Sequence, residues 1–313
     1  MTSTSATTST SATRRGGLSN GRGARAAASA TPRRVRLFDG RGALASVVLY
    51  AALILATALS LLPAFWVMVS SFKTAAQINT GEGFWPAPIT VQGYIDAFSQ
   101  IHLQEYIFNS LVYAIGGTMG ALVVAFLAAY PLARFDFVGK GFLNVTFALA
   151  LAVPLVGLAT PVFFIVRELG MFDSKVGLVV LYAALQFPFT FVVLRSFLQA
   201  IPPELEEAAI MDGAGYFTIL RRVVLPLSRP AIATVSVVAF VQIWNEFFFA
   251  NLLTVSSDNH NVQLALAAFK SQFGFNITGA LAGATIVMLV PIILFLVLQR
   301  QVIEGLTAGA VKS

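Results

Sequence analysis

The sequence predicts an all-α, polytopic membrane protein of six transmembrane helices with both termini in the cytoplasm. Three observations carry that expectation. Of 313 residues, 57% are hydrophobic and 11% charged, and the mean hydropathy is +0.81, outside the composition of soluble chains. Uncharged runs long enough to cross about 30 Å of hydrocarbon, which takes roughly 20 residues, recur along the chain. The basic residues are distributed unevenly between the segments joining those runs. Because the runs are continuously apolar and do not alternate with period two, a β-barrel is set aside.

Residues 1–41 are rich in Ser, Thr, Ala, Gly and Arg, contain one acid, Asp39, and have too few large apolar residues to fold alone. They are expected to be a disordered basic cytoplasmic tail, with the membrane domain in 42–313. Four runs are clear spans: 42–72, 106–133, 141–166 and 271–299. Two are shorter: 176–194 has no charge, and 230–253 is interrupted only by Glu246. The first run is about twice the length of a signal-peptide core, so it is expected to remain as an anchor. Pro63, Pro154, Pro161, Pro188 and Pro291 lie within spans and predict kinks whose freed carbonyls neighbouring helices or water satisfy.

Six spans put both termini on one side. With the N-terminus inside, 16 of the 20 Lys and Arg residues fall on cytoplasmic segments, and only Lys73, Arg167, Lys175 and Lys270 fall outside. The pI of about 9.8 therefore reflects topology, and no nucleic-acid partner is expected.

Enzyme motifs are missing. The Gly139-Lys140 pair is followed by Gly141 and has Arg134 where a phosphate loop needs its first Gly, so no nucleotide or other cofactor is expected in this chain. There is no cysteine and no G-x-S-x-G, and His102 and His260 are isolated in loops, so neither a catalytic residue nor a metal site is expected. Asn109 and Gln186 are polar groups at membrane depth that read as interhelical hydrogen-bonders. Glu246, roughly 25 Å along the fifth helix from Arg229 at 1.5 Å per residue, falls near the outer surface.

The segment 200–228 departs from this apolar pattern. Pro202 and Pro203 suit a first helical turn, and Glu204, Glu206 and Glu207 follow where the helix dipole favours negative charge. Leu205, Ala208 and Ala209 share a face. Asp212-Gly213-Ala214-Gly215 predicts a break, and 216–224 a second helix with Arg221 and Arg222 near its C-terminus. On physical grounds the segment is either a solvated amphipathic loop or a docking surface.

Glu207-Ala208-Ala209, three residues, Gly213, nine residues, Val223, one residue, Leu225-Pro226 resembles the EAA loop of permease subunits of binding-protein-dependent ABC importers, with Val223 where the family usually has Ile. Asn109-Ser110-Leu111, Asp212-Gly213-Ala214, Trp244-Asn245-Glu246-Phe247 and the ending from Gly305 to Lys312 resemble the carbohydrate branch, most closely its maltose-type second permease. The Arg-rich tail departs from that pattern.

The resemblance implies a type I ABC importer permease fold in a bacterial plasma membrane, surrounded by membrane lipid. It implies a homologous second permease, two ATPase subunits that bind ATP and Mg, and an extracytoplasmic sugar-binding protein. Glu207 would then contact an ATPase, Ala208 and Ala209 pack closely against it, and Gly213 provide the turn, with Leu225 and Pro226 closing the motif. Asp212 would cap the second helix or touch the partner. Thr307, Gly309 and Lys312 would reach the ATPase interface. Asn245 and Glu246 would line the outer mouth of the path or meet the binding protein, or face interfacial water. Asn109 and Gln186 are path candidates beside their hydrogen-bonding reading. A secondary transporter would be expected to keep mid-span charges and internal repeats, neither of which is evident. A scaffold protein would explain the docking loop without transport.

Overall fold

The computed structural model describes residues 40–269 and 276–310, with side chains for 45–269 and 276–300. Among the described residues every regular element is helical. Residues 60–313 form one compact unit, and the described part of the other unit, 1–59, is 40–59 of the first helix.

Four helices are long and apolar enough to cross a membrane by themselves: α1 (Gly40–Ser70), α4 (Leu103–Arg134), α7 (Lys175–Ala200) and α14 (Ile277–Ala310). Between α1 and α4 lie the short α2 (Ala75–Thr80), capped by the Thr74 hydroxyl, and α3 (Gln92–Ser99), whose Asp96 accepts from Gln92, Gln100 and Asn276 and so ties α3 to the start of α14. After α4 come α5 (Lys140–Leu149) and α6 (Ala159–Glu168). Beyond α7 the chain continues through α8 (Glu204–Met211), α9 (Tyr216–Ile219), a π-helical turn at Leu220–Val224 and α10 (Leu225–Leu227). The last stretch before α14 holds α11 (Arg229–Trp244), α12 (Phe248–Leu253) and α13 (Val262–Ala268).

Two expected spans differ from single rods. The run 141–166 is α5 and α6 set at 102°. Pro154 has no N–H to donate and disfavours helical backbone at Val153, which is extended at φ −76°, ψ 122°. Hydropathy registers the apolar run but not its change of direction. Pro63, Pro188 and Pro291, by contrast, sit inside unbroken helices. The run 230–253 also divides: α11 ends at Trp244 and α12 is a separate helix. The segment from Tyr216 to Leu227 meets α11 at 70°, so by length and composition the described residues hold four candidate spans, or up to six if each bent pair counts as one.

The interior is built on α4 and α7. A Cβ placed on Gly116 would meet Val179 Cγ1 at 2.9 Å; on Gly117 it would meet Tyr182 Cβ and Ile243 Cδ1 at 2.9 Å; on Gly120 it would meet Ala183 Cβ at 2.9 Å. Glycines on one stripe of α4 thus admit the side chains of α7 and α11 directly against backbone, the small-residue packing that holds helices together where lipid removes the hydrophobic difference. On one side of this contact a cluster gathers Tyr113, Tyr182, Phe240, Trp244, Phe249 and Phe269; on the other, Phe126, Tyr130, Phe191, Leu198, Ile219 and Val224. Trp244 Nε1 donates to the Val287 carbonyl at 3.2 Å, joining α11 to α14.

Replacing Gly117 with Leu should force these helices apart at a cost of about 1–3 kcal/mol, the usual range for overpacking. Thermal unfolding of the detergent-extracted protein measures it. Gly141→Ala, at a position with nothing within 4 Å, should leave the midpoint unchanged or slightly raised. Equal midpoints for the two variants would remove the glycine stripe as the central contact.

Candidate functional site

The segment 200–228 folds as expected into helix, turn and helix, with a closure the residues explain. Glu204, Glu206 and Glu207 occupy the first turn of α8. At its other end Gly213 adopts φ +81°, and its N–H bonds the Ile210 carbonyl while the Ala214 N–H bonds the Ala209 carbonyl, both at 2.9 Å. This is a Schellman closure with glycine at its left-handed position. Asp212 is not the cap of the second helix, whose N-cap position is Gly215. It ends α8, its side chain is exposed, and α9 begins after Gly215 without a side-chain cap.

The unit hangs from the end of α4. Arg134 Nε meets Glu206 Oε1 at 2.6 Å, both side chains being 12% exposed, and Arg134 Nη2 donates to the Ile201 carbonyl at 3.0 Å. The Nε–Oε1 approach is a contact of charges rather than an in-line hydrogen bond. Tyr130 donates its hydroxyl to Glu206 Oε2 at 2.9 Å, and an edge-to-face series Tyr130–Phe135–Tyr216 carries the connection on to α9. Sequence reasoning missed Glu206 and Arg134. Their signal was present as a basic residue ending one span and one of three neighbouring acids, but not which acid turns inward.

The remaining motif residues separate by face. Glu207 and Ala208 are exposed, whereas Ala209 is half-buried and packs on this chain's own core, so the two alanines do not share one docking surface. Ile219 and Val224 point inward to that core. Outward, Met211 is 87% and Phe217 74% exposed, with Leu205, Ile210 and Tyr216 also exposed. The outer face is therefore apolar with an acidic rim. Leu225 is exposed and borders an apolar cleft with Phe126 and Ile232, and Pro226 is half-buried.

At the far ends of α4 and α7 a second polar group forms. Asn109, buried, donates to the carbonyls of Asp258 and His260 at 2.8 and 2.9 Å and accepts from Lys175 Nζ at 2.8 Å. It binds a loop as well as a neighbouring helix. Tyr113 donates to the Asn259 carbonyl at 2.7 Å. Asp173 accepts from the N–H groups of Val255 and Ser256 and from the Ser256 hydroxyl. Burial pushes its carboxyl up, but the Ser256, Val255 and Asn259 hydrogen bonds outweigh this and bring it down to about 2, so it stays ionised at neutral pH. Burial lowers His260, which favours the neutral imidazole.

Glu246 lies in the break between α11 and α12, not along a helix. It is half-buried and accepts from the N–H groups of Phe249 and Ala250 at 2.7 and 3.1 Å and from the Tyr182 hydroxyl at 2.6 Å. The carboxylate thus satisfies the first turn of α12. Asn245 is exposed, donating to the Val241 carbonyl and accepting from Gln263. Gln186 is half-buried within α7 without a hydrogen-bond partner among the described residues. Thr307 and Gly309 fall on the last turns of α14, and Lys312 lies outside the described residues.

Comparison with known proteins matches this architecture. The family described as "Binding-protein-dependent transport system inner membrane component" matches residues 117–307. A diacetylchitobiose uptake system permease protein of Streptomyces coelicolor is 34% identical over 251 residues, 80% of this chain and 91% of that protein. A trehalose transport system permease protein of Mycobacterium tuberculosis is 34% identical over 255 residues, 81% and 93% of the respective chains. A crystal structure of a bacterial ABC transporter involved in alginate import has a chain that superposes with a TM-score of 0.72 at 23% identity, covering 85% of this chain and 98% of that one. A multi-pass membrane fold, the match over most of the helical domain and these two relatives together place the chain in the binding-protein-dependent transport system inner membrane component family.

Proposed function

We propose that this chain is a permease subunit of an ABC sugar importer, forms half of a translocation path, and receives the work of ATP hydrolysis through residues 204–227. The observation that carries the reading is an apolar, outward-facing helix–turn–helix tied through Glu206 and Arg134 to the end of α4. An exposed patch of large apolar side chains with a polar rim marks a protein interface. The sugar class follows from the saccharides in the relatives' names.

In this reading ATP and Mg are held by two partner ATPase subunits and supply the driving force there. This chain presents Met211 and Phe217 to a recess on an ATPase, with Glu207 at the rim and Gly213 allowing the close turn. Displacement of α8 pulls on α4 through the Arg134–Glu206 pair, and α4 moves with α7 because the glycine stripe leaves no slack between them. The result is a rigid-body rocking of the spans against a homologous second permease. Both termini and residues 200–228 are cytoplasmic, and the last turns of α14, with Thr307 and Gly309, approach the ATPase together with Lys312. A sugar-binding protein docks on the opposite face, where Glu246 and Asn109 hold the loops it meets. Gln186, with its unspent amide, is the residue of this set best suited to face the path.

Sugar-stimulated ATP hydrolysis by the reconstituted complex tests the reading, since a scaffold protein would not couple the two. Gly213→Trp places a bulky side chain at φ +81°, a strain of about 1–2 kcal/mol, on a surface the ATPase must approach. It should abolish uptake and ATPase retention while the chain still inserts and pairs with its partner; Glu207→Lys should act more mildly. Normal retention and uptake in Gly213→Trp would exclude this loop as the coupling element.

Removing one member of the Arg134–Glu206 pair, as in Arg134→Gln or Glu206→Gln, should lower sugar stimulation of ATPase activity more than basal hydrolysis. The reversed pair Arg134→Glu with Glu206→Arg should recover part of it, with a coupling of about 0.5–3 kcal/mol in a double-mutant stability cycle. Additive effects would show that the two charges act separately. For topology, a cysteine introduced at Ser313 should react with a membrane-impermeant thiol reagent only after the cells are opened, and labelling of intact cells would reverse the orientation.

A further inference from the structure

We propose that a cavity beside the outer end of α1 binds a phosphodiester oxyanion at the depth of the lipid headgroups, with Lys73 as its counter-charge. The cavity measures ≈390 Å³ and is lined by Trp66, Ser70, Lys73, Gln77 and Phe84 among others. Lys73 is only 6% exposed, and its ammonium, which carries three donor hydrogens, meets the Gly83 carbonyl at 2.8 Å. No carboxylate pairs with it among the described residues. Ser70, 1% exposed, leaves its hydroxyl without a partner. A buried cation with one neutral acceptor is costly. Water can satisfy the hydroxyl but cannot neutralise the ammonium.

Both open groups can donate, so the ligand they suit is an acceptor that carries negative charge. Gln77 holds the 83–87 wall in place, one amide N–H on the Trp85 carbonyl and its oxygen accepting from the Ala87 N–H. A phosphodiester has two non-bridging oxygens and one charge, which matches one ammonium and one hydroxyl. The depth fits as well. The apolar stretch Ala45–Ser70 has 26 residues, about 39 Å of helix at 1.5 Å per residue, so Lys73 lies beyond some 30 Å of hydrocarbon. Exposed Trp66, Phe84 and Trp85 stand at the same level, where aromatic side chains gather at a membrane surface. On the same segments Met68, Phe72, Trp85 and Ile89 line a second, open and apolar cleft of ≈440 Å³. At that depth a phospholipid headgroup fits the cavity better than a soluble phosphate does.

Native mass spectrometry of the full complex, delipidated in mild detergent and then given phosphatidylglycerol or inorganic phosphate, tests this. Wild type should retain phosphatidylglycerol through washing, Lys73→Met should retain at least about tenfold less, and Ser70→Ala about threefold less, as expected for a charge-assisted and a neutral hydrogen bond. Lys73→Arg should retain it, as should Lys140→Met, which removes an equal charge elsewhere. If inorganic phosphate binds with the same Lys73 dependence and the lipid does not, the oxyanion site stands and its source is soluble. If wild type and Lys73→Met retain lipid equally, or if neither probe binds wild type, the cavity holds water only and the proposal fails. Should Lys73→Met not assemble, unchanged retention in Ser70→Ala overturns it.

Discussion

Backbone contact between α4 and α7 is the constraint on which the other parts depend. In lipid, apolar side chains gain little by leaving their surroundings, so two helices stay together only if their surfaces fit closely. Gly116, Gly117 and Gly120 provide that fit by removing every side chain from one stripe of α4. Ile243 of α11 enters the same stripe at Gly117, which draws the fifth long element onto the pair. With the axis of α4 so placed, its two ends become fixed supports. One end holds Glu206 through Arg134 and Tyr130; the other holds the 254–261 loop through Asn109 and Tyr113.

The two supports differ chemically. At the α8 end the polar ties are few and centre on Arg134: its pair with Glu206, the Tyr130 hydroxyl on the same carboxylate, and its bond to the Ile201 carbonyl. At the opposite end they form a mesh. Asp173, itself in a left-handed conformation at φ 52°, gathers the backbone of 255–256 and the Asn259 amide, while Glu246 gathers the start of α12 and Tyr182. Many hydrogen bonds shared among few carboxylates hold a loop in one shape.

Much of this was legible in the sequence and some of it was not, for reasons that differ by residue. Hydropathy located the apolar runs because their length and lack of charge are linear properties. Pro154 marked the kink found at Val153–Pro154, but neither it nor hydropathy showed that the bend reaches 102°, or that α11 ends at Trp244, because direction depends on what the freed backbone meets. Gly213 was readable, since a glycine after a helical stretch indicates a left-handed closure. Glu206 and Glu207, adjacent in sequence, point about 100° apart on a helix, and only the position of Arg134 decides which is internal. The motif directed attention to Glu207, the exposed one. Asn109 was read at membrane depth and Glu246 near the outer surface, yet their partners are mostly backbone groups of loops and helix starts that no hydropathy profile locates. The α4 glycines were spaced as a packing motif throughout, but without a partner helix their spacing has no direction.

The corner between α5 and α6 has a consequence for how the protein must be made. Residues 151–157 are exposed there, and the end of one helix and the beginning of the next leave peptide groups without the following turn to bond them. Hydrocarbon cannot solvate such groups, so at membrane depth irregular backbone persists only against protein or water. Left alone in a bilayer, the chain would carry an open seam that lipid cannot close. A chain with that corner at membrane depth is therefore stable only once protein or water covers it.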